Sequence, residues 1–175
     1  NITVLPGIPI LLVGGPLTTT ISADESASFS IDVIDQFGNS VSGETITWTV
    51  TNGTLLPGLS MTTPVSNLTF VPWNEGVQWI NASWGSQTVN IAITVTEGVP
   101  DYLIIDGCQV VAAGEECHYD WSVWDQRGNS VIPSRAGNIS WIVENGSFNY
   151  TTSKYSAWAV GFWNVTVSSS LNMST

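Results

Sequence analysis

The stretch "DQFGNSVSGETITWTVTNGTL", Asp35 to Leu55, decides how this chain is read. It opens on a turn at "FGNS", where Gly and Asn accept positive φ. It then alternates Ile46, Trp48 and Val50 through "ETITWTV" and turns again at "NGT". Alternation of β-branched and aromatic residues at period two marks a strand with one buried face. The stretch also returns. "DQRGNSV" at Asp125 to Val131 repeats Asp35 to Val41 after 90 residues, and "ISWIVENGSF" from Ile139 repeats "ITWTVTNGTL" from Ile46 after 93. Trp141 therefore matches Trp48. "GIP" at Gly7 matches "GVP" at Gly98. "GVQWINAS" from Gly76 aligns with "GFWNVTVS" from Gly161, which sets Trp79 against Trp163. Because the matches keep their order, a unit of about 90 residues is duplicated.

Around these anchors the chain reads as short strands. Phe29, Ile31 and Val33 alternate in "SFSIDVID", and Val89, Ile91, Ile93 and Val95 in "TVNIAITV". Amphipathic helices of useful length are absent. Short strands with turns every eight to twelve residues predict β-sandwiches. The expectation is an all-β chain of two tandem antiparallel sandwiches, residues 7–97 and 98–175, preceded by a short strand at 1–6.

The Asp-x-x-Gly-Asn-x-Val-x-Gly turn followed by a Trp-bearing strand, at Asp35 to Val50, resembles the bacterial Ig-like domains of the invasin and intimin class. The likeness runs through Gly7 to Leu55. It is weaker over Gly98 to Phe148, where "IPSRAGN" replaces "SGET". The resemblance implies extracellular Ig-like sandwiches strung in tandem for adhesion or as stalks, with no catalysis.

Composition narrows the partners. Fourteen acidic residues face three basic ones, a net charge of −11. Nucleic acid and anionic lipid both want Lys and Arg, so neither is an expected partner. No apolar run is long and unbroken enough to span a bilayer. The pattern Asn-x-Ser/Thr occurs at Asn1, Asn52, Asn67, Asn81, Asn138, Asn145, Asn149, Asn164 and Asn172. Chance would give about three, so N-linked glycans and an extracellular or cell-surface location are expected. Cys108 and Cys117 are spaced for a disulfide across the base of a hairpin, which such a location permits.

Chemistry is sparse. His118 is the only histidine, which removes most catalytic triads. Asp32 and Asp35 alternate in a strand and point to opposite faces; Asp35 is read as a turn cap. No enzyme, catalytic residue, metal or cofactor is expected. Asp101, Asp106, Glu115, Glu116 and Asp120 form no Asp-x-Asp-x-Asp calcium loop. Lys154, the only lysine, is a weak candidate for a Lys–Asn isopeptide bond, because the other copy has no lysine. Trp48, Trp141, Trp79 and Trp163 are expected in core or interface packing, and Trp84, Trp121 and Trp124 at a subunit contact.

"ITVLPGIP" at Ile2 to Pro9 aligns without a gap with "ITVTEGVP" at Ile93 to Pro100. There, the stretch ends one unit and begins the next. The second copy runs out before the counterpart of Ala92 to Val95. Three readings stay open. Ile2, Thr3, Val4 and Leu5 insert as a donor strand into the second domain of a neighbouring copy, giving a head-to-tail homopolymer. That logic is similar to archaeal threads and chaperone–usher pili. Alternatively, the chain is a piece of a tandem Ig-like adhesin, S-layer or stalk protein, with cell-surface or glycan contacts. In the third, each unit is self-contained.

Overall fold

The computed structural model describes residues 2–63 and 65–171, and for 65–67 the backbone alone. Among the sequons, Asn1 and Asn172 lie outside the described residues, as does the side chain of Asn67. The chain divides into Asn1–Glu97 and Gly98–Thr175.

The first unit is a two-sheet sandwich. β1 (Pro9–Gly15), β3 (Ala27–Asp35), β7 (Val65–Pro72) and β5 (Gly53–Leu56) form one sheet in the order β1-β3-β7-β5. The other holds β2 (Thr18–Ser22), β9 (Gln87–Thr96), β8 (Gly76–Trp84), β4 (Thr45–Val50) and β6 (Ser60–Thr62), in the order β2-β9-β8-β4-β6. All pairings are antiparallel except β2 on β9. The alternating residues meet between the sheets: Phe29, Ile31, Val33, Ile46, Trp48, Leu68, Phe70, Ile80, Ile91, Ile93 and Val95 are all buried. Burying each aliphatic side chain contributes about 1.5–3 kcal/mol. The buried indole Nε1 of Trp48 finds no hydrogen-bond partner, a cost this core carries.

The second unit repeats half of this plan closely. β10 (Pro100–Gly107), β11 (Glu116–Asp125), β15 (Lys154–Ala157) and β14 (Gly146–Asn149) are ordered as β1, β3, β7 and β5 are, with β12 (Ser130–Val131) also on β11. β13 (Ile139–Val143) pairs with β16 (Val165–Ser169) as β4 pairs with β8. The longer turn at "IPSRAGN" contains one 3-10 turn, Pro133–Arg135. No described helix is long and apolar enough to cross a membrane.

Two repeated motifs find their physical cause here. Asp35 is almost fully buried. Its Oδ1 accepts the N–H groups of Phe37 at 2.8 Å and Asn39 at 2.9 Å, and its Oδ2 that of Gly7 at 2.7 Å and Nδ2 of Asn39 at 3.0 Å. Asp125 does the same with Arg127, Asn129 and Gly98, at 2.8–2.9 Å. One carboxylate thus caps the "GNS" turn and ties down the first residue of its unit, which is why "GIP" and "GVP" recur with the turn. Gly38 and Gly128 hold the turn at φ 82° and 78°, where a Cβ is strained. The Asn39 side chain and the Gly7 N–H hold the Asp35 carboxyl well below the usual carboxylate range, against the effect of burial. At Asp125 burial pushes upward most strongly, yet the bonds from Asn129, Gly98 and Arg127 outweigh it and the pKa falls. The second motif, "NG", places Gly53 beneath the ring of Phe70 and Gly146 beneath that of Tyr155. A Cβ at either glycine would run into the ring.

Candidate functional site

Among the described residues, the second unit has no strand at the places of β2, β6 and β9. In the first, β9 lies between β8, antiparallel, and β2, parallel, and its inward Ile91, Ile93 and Val95 close the core. In the second, β16 has one partner, β13, among the described residues. The counterpart of β2 falls at Gln109 to Ala113, which forms no strand and leaves Val110 fully outside. Among the described residues no strand lies between these two segments. An open edge presents unpaired backbone groups and uncovered core side chains.

The core records the difference. Phe29, Ile31, Trp48 and Leu55 are buried in the first unit. Their equivalents Tyr119, Trp121, Trp141 and Phe148 are only half-buried. These rings instead lean on one another. Trp141 stacks on Phe148 with centroids 4.5 Å apart, and Tyr119 meets Trp141 and Tyr155 edge-on at 6.4 and 6.5 Å, geometries that add to simple burial. Burial, then the nearby Tyr155, push the Tyr119 phenol up, so it stays protonated and donates to the Cys108 carbonyl at 2.8 Å. Cys108 and Cys117 are disulfide-bonded beside it.

Strand pairing corrects one alignment. Trp48 stands opposite Ala82, and Trp141 opposite Val167. Asn164, not Trp163, therefore holds the place of Trp79, and Trp163 that of the buried Gln78. Trp163 lies in the loop before β16, its ring folded over Gly161 and its Nε1 donating to the Ala159 carbonyl at 3.0 Å. In the first unit the stretch Gly76 to Trp79 is paired along its length with β9, and Trp79 is bonded to Thr51 as well. Its equivalent, Gly161 to Asn164, has no such partner and is irregular. This leaves Trp158, Val160, Phe162 and Trp163 exposed, Phe162 completely. Trp48 is buried and Trp141 packs against the second core, as expected, whereas Trp79 and Trp163 face solvent. Trp84 and Trp121, expected at a subunit contact, pack against the cores, and Trp124 is half-buried.

The other candidate residues are dispersed. Ile2, Val4 and Leu5 are exposed, at 93%, 84% and 77%, and Thr3 is exposed too; none of the four is in a strand. Asn138, Asn149 and Asn164 are exposed, and Asn52, Asn81 and Asn145 half-buried. Lys154 Nζ lies 2.8 Å from Glu116 Oε2 on the surface, and His118 bonds Asp120 at 3.0 Å. Among the described residues no three His, Cys, Asp or Glu side chains are grouped to hold a metal. The bonds from the turn aspartates back to Gly7 and Gly98 and the solvent-facing aromatic loop are the features that motif reading missed. The recurrence of "GIP" and "GVP" with the turn aspartate was the available signal for the first.

No family model matches the chain, and no curated protein matches it. Among solved structures it is similar to invasin, described as a bacterial integrin-binding protein, with TM-score 0.50 and 14% identity. That match covers 92% of this chain and 36% of invasin, so the chain spans about a third of its length. Weaker similarities include the D0-D1 domain of intimin (TM-score 0.39, 12% identity, 95% of this chain and 93% of that one). Another is the Yersinia pseudotuberculosis adhesin InvE (TM-score 0.42, 18% identity, 89% and 47%). The fold of both units is Ig-like.

Proposed function

We propose that this chain is a tandem Ig-like segment of an extracellular, N-glycosylated surface protein whose work is mechanical, as adhesin, layer or stalk. The observation that carries this reading is how the buried carboxylates are used. Asp35 and Asp125 are saturated by backbone and Asn donors of their own turns, so their charge is spent on holding each sandwich together. The invasin-like fold and the sequon-rich surface support the same reading. Glycopeptide mass spectrometry and surface labelling of the native protein test it. Absence of glycan at every sequon, or retention inside the cell, refutes it.

The open edge favours a more specific second reading, head-to-tail assembly by strand exchange. Ile2 to Leu5 repeat the sequence that fills this position in the first unit. Carrying over the register of β8 with β9, Ile2 of one copy lands opposite Trp163 of another, Thr3 opposite Phe162 and Val4 opposite Gly161. The irregular stretch would become strand, and Ile2 and Val4 would leave water for the half-covered aromatic core. Directly opposed residues have Cα atoms about 4.5–5.5 Å apart, within the Cα range a disulfide spans. A copy carrying Thr3→Cys mixed with one carrying Phe162→Cys should form a cross-linked dimer under mild oxidation. Deleting residues 1–5 should abolish assembly. No cross-link refutes strand exchange and leaves the coarser reading standing.

A further inference from the structure

Trp79 is an unusual residue for its surroundings. It lies on the solvent face of β8 between buried Gln78 and buried Ile80, and is 45% exposed. Its cross-strand neighbour on β9 is Ala92, and its own N–H is bonded to Thr51 Oγ1 at 2.9 Å. These short residues leave much of the ring in water. A tryptophan of this exposure adds a large apolar surface that the fold does not use.

Two residues on, Asn81 opens the sequon Asn81-Ala82-Ser83. Residues i and i+2 of a strand share a face, and a rise of about 3.3–3.4 Å per residue puts the two side-chain roots about 7 Å apart. Asn81 is half-buried, and Nδ2 donates one long bond of 3.3 Å to Thr49 Oγ1. One amide hydrogen is enough for that bond, so the other position is free to carry a sugar. The second unit also sets an exposed ring two residues before a sequon, there in the irregular stretch ahead of β16. Phe162 is fully exposed and stands two residues before Asn164 of Asn164-Val165-Thr166. Asn164 is the structural equivalent of Trp79, so the two aromatic–sequon pairs do not descend from one repeated position.

We propose that the asparagine-linked sugar on Asn81 stacks on the indole of Trp79. The chain's own carbohydrate is then the occupant of this exposed ring. One face of a pyranose presents several C–H groups with little polarity, and an aromatic face carries negative quadrupole density that attracts them. The sugar's hydroxyls stay in water. The tether makes the contact intramolecular, so a weak stacking energy suffices. The inference rests on the N-glycosylation reading above.

The test uses the whole chain produced in a glycosylating and a non-glycosylating host, with Trp79→Ser and Asn81→Gln made singly and together. Glycopeptide mass spectrometry first reports occupancy of Asn81. Vacancy there overturns the stacking, and vacancy at all sequons the glycosylation reading with it. With Asn81 occupied, the unfolding equilibrium of the first unit is compared across the four proteins. Stacking predicts that losing the glycan raises the unfolding constant about three- to tenfold when Trp79 is present and leaves it unchanged with Trp79→Ser. It predicts no such coupling without glycosylation. Ring-current upfield shifts of the first sugar's protons, lost in Trp79→Ser, are the independent readout. Additive effects with unshifted sugar protons overturn the proposal while glycosylation stands. So does binding of free sugar or of another protein at Trp79 in the occupied chain, since a covered ring cannot serve either.

Discussion

Replacing Asp125 by alanine should bring the second unit close to unfolding. The side chain is 0% exposed, and four donors converge on it: the N–H groups of Gly98, Arg127 and Asn129 and the side-chain amide of Asn129. A buried donor left without its acceptor costs about 1–3 kcal/mol. Some of the four will find water in the space left by the carboxylate, so the net loss is about 3–5 kcal/mol. Small domains hold roughly 0.05–0.15 kcal/mol per residue, so most of the unit's stability is at stake. Asp125→Asn separates charge from shape. It keeps the oxygen that Arg127 and Asn129 use but turns an NH2 toward the donors of Gly98 and Asn129, and should cost about half as much. Urea unfolding followed by tyrosine and tryptophan emission, with calorimetry to resolve the two units, measures this. Asp35→Ala should weaken the first unit similarly and leave the second unaffected. Acid adds a sign. Both carboxyls have depressed folded-state pKa values, so their contribution is fully present above the unfolded value near pH 4 and is lost as pH falls through the folded value. Asp125→Asn should flatten the acid limb of the second unit's stability profile. If Asp125→Ala unfolds within about 0.5 kcal/mol of the parent, the clamp is incidental and the explanation of the repeated motif fails.

Three further outcomes follow from the packing. Gly146→Ala drives a methyl into the ring of Tyr155, displacing its hydroxyl from the Glu144 carbonyl; overpacking of this kind costs about 1–3 kcal/mol, read as a lower midpoint for the second unit alone. Reducing the Cys108–Cys117 bond opens a loop of sequence separation 9 and should cost about 2.5–3 kcal/mol on chain-entropy grounds, read as a shift in urea midpoint with and without reductant. Trp48→Phe removes the unpartnered buried N–H while giving up ring volume, so it should cost only about 1–2 kcal/mol. Trp48→Ala, which only creates a cavity, should cost about 3–5 kcal/mol.

The sandwich was legible because its strands are patterned by burial. Phe29, Ile31 and Val33 had to alternate, and the turn glycines had to be glycine, so the sequence displays both. Residues facing solvent carry no such constraint. Trp79 and Trp163 match by identity, yet the strand register moves the match by one residue, so that Asn164 takes the place of Trp79 and Trp163 lies in a loop. Two copies are too few for identity alone to reveal that offset, which only the pairing of Trp141 with Val167 sets. The aspartate clamps were half legible: turn capping was readable from "DQFGNS", but a bond reaching back to Gly7 over 28 residues has no local signature.

The open edge shows where sequence reading reaches its limit. Several inward residues of the second unit are larger than their counterparts, Tyr119 for Phe29, Trp121 for Ile31, Phe148 for Leu55, Tyr155 for Phe70 and Val167 for Ala82, although the smaller Val165 stands for Ile80. Bulkier side chains fill part of the space that Ile91, Ile93 and Val95 occupy in the first unit, and their stacked rings keep the half-covered core in one arrangement. On the strand-exchange proposal, an incoming strand would meet a groove already partly filled, and residues the size of Ile or Val, spaced two apart, would complete it better than aromatic ones. The size of the inward residues would then limit which strands fit, whereas the identity of the strand is not a property of this surface.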